Sequence, residues 1–333
     1  DFIEFNKKMY PLRSGLEESI LFKLHHPYIS KTDDIFYPIM VAKDKNERII
    51  GQYQRIPCKY YINGELFNAF WGMDYIVEEA SRGTTAGVFL AQQALKDNQF
   101  GMGLSPIAFK LHLLIGGKHI GDYYKYIRFK SLPNLLGFAI SLIIKHPFLS
   151  NNKNDCYPNI INIGDISFKK KNNPSDINWE FENNNYIEFS RDKEFLSWRF
   201  GSYPKVFITY TYEDESGIKA YFVIRNVIWK GFPFLLLVDY RYKGNTLQPM
   251  LKAVNKILKK SHNYGIITLS SFSDVDRALK HNRYIKFGFS GQIVTNVKTN
   301  LSKQQIKQRK SIFVTFADSD ADFFYGNKQW YEL

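Results

Sequence analysis

Two polar, asparagine-rich stretches set the strongest limit on what this chain can fold into. Ser150 to Asp155 (SNNKND) and Lys169 to Asn185 (KKKNNPSDINWEFENNN) flank a more apolar, strand-like segment, Ile160 to Phe168. Such composition buries too little apolar surface to lie inside a core, so the region reads as a linker holding one short ordered segment. It divides the 333 residues into parts of about equal size, each within the ordinary range of one domain. The expected organisation is a first domain over 1–149, a linker over 150–185 and a second domain over 186–333.

The two parts share one grammar. In the first, Tyr37 to Lys43, Ile49 to Ile62 (interrupted by Pro57) and Leu66 to Val77 read as strands, with Asn63-Gly64 as a hairpin turn. Gly83 to Lys96 has helical periodicity, Leu104 to Ile107 reads as a short strand, and Ala108 to Ile115 as a helix stopped by Gly116-Gly117. His119 to Phe129 is a last strand. In the second, Glu194 to Phe200 is a short helix, and Val206 to Tyr212, Lys219 to Trp229 and Phe234 to Tyr240 are strands. A helix over Leu247 to Lys260, a strand over Ile266 to Ser270, a helix over Asp274 to Asn282 and strands over Ile285 to Phe289 and Ile293 to Lys298 follow. The class is mixed α/β. Apolar residues at 44% and aromatics at 17% supply the cores and exclude global disorder.

Lys and Arg number 45 against 32 Asp and Glu, a net charge of +13. That surplus suits nucleic acid, anionic lipid or phosphate-bearing substrates. No helix-turn-helix, zinc finger or RNP-type strand accompanies it, so no DNA partner is expected. The apolar run Leu135 to Ile144 (LLGFAISLII) is too short to cross a bilayer. It reads as a buried helix, with a membrane-surface helix as the alternative. No secretory signal is visible, and the expected location is cytoplasmic, with a membrane-peripheral one as the alternative.

The most informative stretch lies where a strand ends and a helix begins: Val77-Glu78-Glu79-Ala80-Ser81-Arg82-Gly83-Thr84-Thr85-Ala86-Gly87. Small residues leave backbone N–H groups open at a positive helix N-terminus, and Arg82 adds a formal charge. An anion site and an ordinary strand–helix turn both fit these residues. The stretch is neither a P-loop nor a GxGxxG fingerprint.

Here the chain resembles the GCN5-related N-acetyltransferase (GNAT) superfamily, whose acetyl-CoA loop reads Arg/Gln-x-x-Gly-x-Gly/Ala. Arg82 matches the first position and Gly87 the last, while Thr85 stands at the middle glycine. Downstream, Ala108-Phe109-Lys110-Leu111-His112-Leu113-Leu114-Ile115-Gly116-Gly117 resembles the family's Ala-x-x-Leu-Tyr-x-x-Leu-Gly-Phe, with His112 at the tyrosine position. Lys286-Phe287-Gly288-Phe289 resembles the same Leu-Gly-Phe ending in the second half. Such chains are similar to acyltransferases of bacterial surface polysaccharide synthesis.

The resemblance implies two tandem GNAT-like acyl-CoA N-acyltransferase domains and acetyl-CoA as donor substrate. It implies that Ile76 and Val77 bind the pantetheine arm, and that Arg82, Gly83, Thr84, Thr85, Ala86 and Gly87 hold the pyrophosphate. A backbone N–H near Met73 to Tyr75 would polarise the thioester. Asp74 and Glu78 are candidate bases for an amine acceptor, a small molecule that is anionic or sugar-linked, and His112 the acid that protonates the leaving thiolate. The second half, with only Gly244 after Val238-Asp239-Tyr240, is expected to lack a CoA site and to shape the acceptor cleft. Two alternatives stand beside this reading. One is a Fem-type transferase using aminoacyl-tRNA, the single case in which tRNA is a partner. The other is a non-catalytic binding protein.

Other motifs give less. Asp318-x-Asp320-x-Asp322 has Phe323 where a calcium loop needs glycine, and reads as a solvated acidic turn or helix cap. His25, His26 and His146 lack partners at metal-ligand spacing, Cys58 and Cys156 sit in no nucleophile motif, and no metal is expected.

Overall fold

The computed structural model describes residues 1–11, 13, 15–29, 38–144, 157–182, 184–203 and 205–319. His146, Cys156, Asp320, Asp322 and Phe323 lie outside the described residues. The chain opens with helices α1 (Phe2–Met9) and α2 (Leu16–Leu24), then runs β1 (Ile39–Lys43), β2 (Ile49–Ile62), β3 (Glu65–Val77), α3 (Ala86–Ala94), β4 (Gln99–Met102), α4 (Pro106–Leu114), β5 (Lys118–Phe129) and α5 (Leu132–Ile144). A hairpin of β6 (Ile160–Ile163) and β7 (Ile166–Lys171), a short β8 (Ile187–Phe189) and α6 (Lys193–Leu196) follow. Next come β9 (Ile208–Asp214), β10 (Gly217–Trp229), β11 (Phe232–Tyr242), α7 (Leu247–Lys260), β12 (Gly265–Ser270), α8 (Ser273–His281), β13 (Ile285–Thr295), α9 (Lys303–Lys307) and β14 (Ile312–Phe313). The series β2-β3-α3-β4-α4-β5 recurs as β10-β11-α7-β12-α8-β13.

These strands form one 14-stranded mixed sheet, ordered β14-β8-β2-β3-β4-β13-β5-β12-β11-β10-β9-β7-β6, with β1 on β2. The halves are halves of the sequence and not of the sheet. Strand β13 of the second half lies between β4 and β5 of the first, and β5 in turn pairs with β12. The linker's ordered segment is a hairpin added to the β9 edge, whereas β8 pairs with β2. Neither half can therefore complete its ladder without the other.

Local chemistry explains the elements and the departures from expectation. Asn63 and Gly64 have φ of 52° and 78°, the left-handed pair that a two-residue hairpin requires. Pro57 does not interrupt β2, which runs through it. The Arg55 N–H and the Lys59 carbonyl both point to the outer edge, toward Pro38 and Ser190, so Pro57 shares that side. It falls between the last pairing with β1 and the first with β8, where no ladder donor is needed. Leu104 to Ile107 is not a strand: Ser105 caps α4 by accepting the Ala108 N–H at 3.2 Å, and Pro106 takes the first helical position. The two final strands of the second half are one, β13, broken by a register slip between Phe287 and Gly291. The missing side chain at Gly291 leaves room for the Tyr123 ring.

Two further expectations are corrected. Helix α5 is not buried: Phe138 and Ser141 face the sheet, and Leu132, Leu136, Ile140 and Ile143 are exposed. Asp318 is not solvated either. It joins a buried ionic cluster in which Arg191 binds Asp239 at 2.8 Å and Asp318 at 2.8 Å. Arg241 binds Asp239 at 3.1 Å and Glu188 at 2.9 Å. Tyr221 and Thr315 hydroxyls donate to Asp239 at 2.8 and 2.7 Å. Among the described residues, no group of three or more His, Cys, Asp or Glu could hold a metal ion, and no helix is long and apolar enough to cross a membrane.

His26 is the clearest titratable liability of the core. It is buried against Trp198 with ring centroids 4.1 Å apart. Its Nδ1 accepts the Tyr28 N–H at 3.2 Å, so the proton sits on Nε2. Burial, with Lys59 and Arg199 nearby, pushes its pKa down to about 3. The unfolded chain therefore binds a proton below about pH 6.5 that the folded chain refuses. Folding stability is expected to fall by about 1.4 kcal/mol per pH unit between pH 6 and 5 from this group alone. Urea unfolding across that range should show the slope, and His26→Phe should flatten it.

Candidate active site

The site arises where two parallel strands part. β3 and β4 pair at Phe70–Gln99, Trp71–Phe100 and Gly72–Gly101, and no further. Beyond Gly72, β3 is turned by Asp74 at φ 44°, with a register slip against β2 between Gln52 and Gln54. Beyond Met102, Gly103 at φ 71° turns the chain into α4. A cavity of about 350 Å³ opens in the fork. Its walls include Tyr53, Met73, Asp74, Tyr75, Met102, Leu104, Tyr123 and Lys125, and Ser319 from the closing segment. Ile76 and Val77 pair with Gln52 and Gly51 of β2 on one edge only, since β4 has already left the other.

The loop after β3 is open to solvent. Glu79 to Ser81 make a single 3-10 turn, and Arg82, Gly83, Thr84 and Thr85 are exposed. Arg82 Nε donates to the Val77 carbonyl at 3.3 Å. The Ala86 N–H donates to Thr84 Oγ1 at 3.3 Å. The amides of Gly87 and Val88 fall in the first turn of α3, where no helical carbonyl precedes them. Thr85 is the N-cap and makes no side-chain cap. Gly87 is needed as glycine, because a Cβ would meet the Tyr75 hydroxyl at 2.9 Å. That hydroxyl donates to the Gly87 carbonyl at 2.8 Å and ties the cavity wall to the loop.

The three candidate acid–base residues separate in space. Asp74 lines the cavity, but Arg13 (2.8 Å) and Lys23 (3.1 Å) occupy its two oxygens. Burial alone would raise its carboxyl; the two cations outweigh that and hold it below the ordinary value. Glu78 lines a separate open hollow with Phe5 and Arg48, bound by Lys8 at 2.9 Å and Arg48 at 3.0 Å. The Lys8 bond is the main reason its carboxyl is lowered. His112 is buried behind the cavity. Its Nδ1–H donates to the Ala108 carbonyl at 2.7 Å, which leaves Nε2 to accept the Tyr53 hydroxyl at 3.1 Å. Burial lowers its pKa, so the ring is neutral at pH 7.

Tyr53 carries no motif in the sequence, where it reads as one aromatic of an alternating strand. It is the group that faces the cavity in front of His112. Its oxygen also receives Gln99 Nε2, and burial raises its pKa. Tyr75 packs beside both, 5.0 Å from the Tyr53 ring and 5.8 Å from His112. Lys125 carries no motif either; burial in the cavity wall lowers its pKa.

No family model and no curated protein sequence matches the chain. Solved structures do. Saccharomyces cerevisiae N-myristoyltransferase with bound myristoyl-CoA is similar at TM-score 0.50 and 12% identity, covering 86% of this chain and 76% of that one. A GCN5-related N-acetyltransferase from Anabaena variabilis is similar at TM-score 0.48 and 11% identity, covering 78% of this chain and 62% of that one. A probable N-acyltransferase from Enterococcus faecalis gives TM-score 0.46 and 11% identity, covering 74% and 59%. The chain thus spans less than two thirds of the length of the last two. Its fold is the mixed α/β fold of GNAT-like acyl-CoA N-acyltransferases.

Gly72 is the hinge of the fork. A Cβ there would press on the Tyr53 hydroxyl and lie 2.7 Å from Gln99 Nε2. Gly72→Ala is expected to cost about 1–3 kcal/mol of stability through overpacking, read by urea unfolding. It should also shift the His112 ring resonances in nitrogen NMR, because the Tyr53 donor is displaced.

Proposed function

We propose that this chain is a CoA-dependent N-acyltransferase, moving an acetyl or other acyl group to the amine of a small acceptor. The observation that carries the reading is the cavity at the β3–β4 fork, set beside the open first turn of α3. The first half holds the donor. The α3 amides and Arg82 suit its pyrophosphate, and the free edge of β3 at Ile76 and Val77 suits an extended amide-bearing arm. The second half shapes the acceptor side. An anionic or sugar-linked acceptor fits the half-buried Lys125 in the wall, and a CoA donor fits a cytoplasmic setting.

The chemistry needs one proton moved twice. As the amine attacks the thioester carbon, its proton passes to the Tyr53 oxygen while the Tyr53 proton moves to His112 Nε2. The C–N bond forms, the C–S bond breaks, and the proton returns by the same two groups to the leaving thiolate. His112 thus acts through Tyr53 and not by direct contact. A backbone N–H near Met73 to Tyr75 would polarise the thioester carbonyl. Asp74 and Glu78, each bound by two cations, orient their surroundings.

Isothermal titration with acetyl-CoA should show micromolar binding, and thiol release with amino-sugar acceptors should follow. Tyr53→Phe and His112→Phe are each expected to keep CoA binding and to lower kcat about 10²-fold or more. Unchanged turnover in His112→Phe removes the relay. The acidic limb of the kcat profile should lie below pH 6.5, because the His112 ring must be neutral to accept.

A further inference from the structure

Helix α5 presents a face that the acyl-transfer reading leaves unused. From Leu132 to Ile143, the residues turned away from the sheet are all apolar apart from the backbone. Leu132, Leu136, Ile140 and Ile143 are exposed by 65, 53, 52 and 80%. Their spacing of four, four and three residues aligns them in one stripe. The opposite side is spoken for: Phe138 stacks on Trp229 at 5.3 Å and packs on Phe232 and Phe234. A stripe this long and this apolar on a surface marks a docking face.

Charge decides what docks. The chain carries +13, which repels a second copy and attracts an anionic surface. Cations lie near the helix. Lys230 is exposed and lies over the Trp229 ring that Phe138 stacks on. Lys130, two residues before α5, reaches the Ser261 carbonyl at 2.6 Å, directly after exposed Lys259 and Lys260 at the end of α7. An apolar helix face with lysines nearby suits a headgroup layer. At 13 residues, about 20 Å long, α5 can lie along a bilayer but not cross it.

We propose that α5 seats its Leu132–Ile143 stripe in the headgroup region of an anionic phospholipid bilayer and makes the protein membrane-peripheral. The apolar side chains enter the acyl boundary, and Lys230, Lys259 and Lys260 meet the lipid phosphates. The full chain is floated with phosphatidylcholine vesicles, with and without phosphatidylserine, at low and high salt. It should float with the anionic vesicles, less so in high salt, and weakly with the neutral ones. Leu136→Asp combined with Ile140→Asp should lower binding to anionic vesicles about tenfold or more. Both positions are exposed, so an unchanged urea curve confirms that the variant is folded. Lys230→Glu with Lys260→Glu should remove the preference for anionic over neutral vesicles. The proposal is overturned if the wild-type chain does not float at low salt, or if the Asp variant floats equally well. It is also overturned if light scattering shows a dimer that the Asp variant splits while vesicles are ignored, since the face then joins two copies.

Discussion

The carboxylate of Asp239 holds the second half to the rest of the molecule. It lies on β11, fully buried, and Arg191, Arg241, Tyr221 and Thr315 converge on it. Burial alone would raise its pKa, yet the two guanidinium groups bring it down to about 2. Each partner arrives from a different place in the sheet. Tyr221 stands on β10, Arg191 follows β8, which pairs with the first half's β2, and Thr315 follows β14. A buried charge left without partners costs several kcal/mol, so these segments must settle together. The same cluster, through Asp318, fixes the backbone that delivers Ser319 to the cavity wall.

The crossing of β13 and β5 gives the two forks different fates. In both halves a parallel pair runs for three residues and then parts: β3 with β4, and β11 with β12. In the first half the gap is a cavity. In the second, the chain closes its own gap: the Ala317 N–H bonds the Val238 carbonyl at 3.0 Å, and the Tyr240 hydroxyl bonds the Leu269 carbonyl at 2.9 Å. One fold, used twice, thus yields one open cleft and one filled one. Filling the second cleft places the closing segment where it borders the first.

Much of this was legible in the sequence wherever local chemistry decides. The Asn63-Gly64 turn, the one-sided apolar face of α7 and the Gly116 stop of α4 are each written in a few neighbouring residues. The loop that joins β3 to α3 was legible for the same reason. The cavity wall was not, because Tyr53 and Lys125, and Gln99 behind Tyr53, come together only through sheet order and register. Tyr53 looks like any strand aromatic until Gly72 leaves space for its hydroxyl beside Gln99. The reading of Asp318 as a solvated turn failed likewise, since its partner Arg191 lies 127 residues away. Helix α5 misled for the opposite reason: its composition says apolar, and only packing says which apolar face has a partner.

Several of the acids are held inside by cations. Asp74 binds Arg13 and Lys23, Glu78 binds Lys8 and Arg48, and Asp239 binds Arg191 and Arg241. The side chains of these acids are buried, and Arg191 and Arg241 are shared further with Asp318 and Glu188, so charges of both signs are matched inside. The lysines at the ends of α7 and beside Trp229 stay at the surface, where water screens them from one another. A chain built this way presents a cationic exterior around a few internally matched sites. Two surface features of different shape stand out on that exterior: the open first turn of α3 at Gly87 and the apolar stripe of α5.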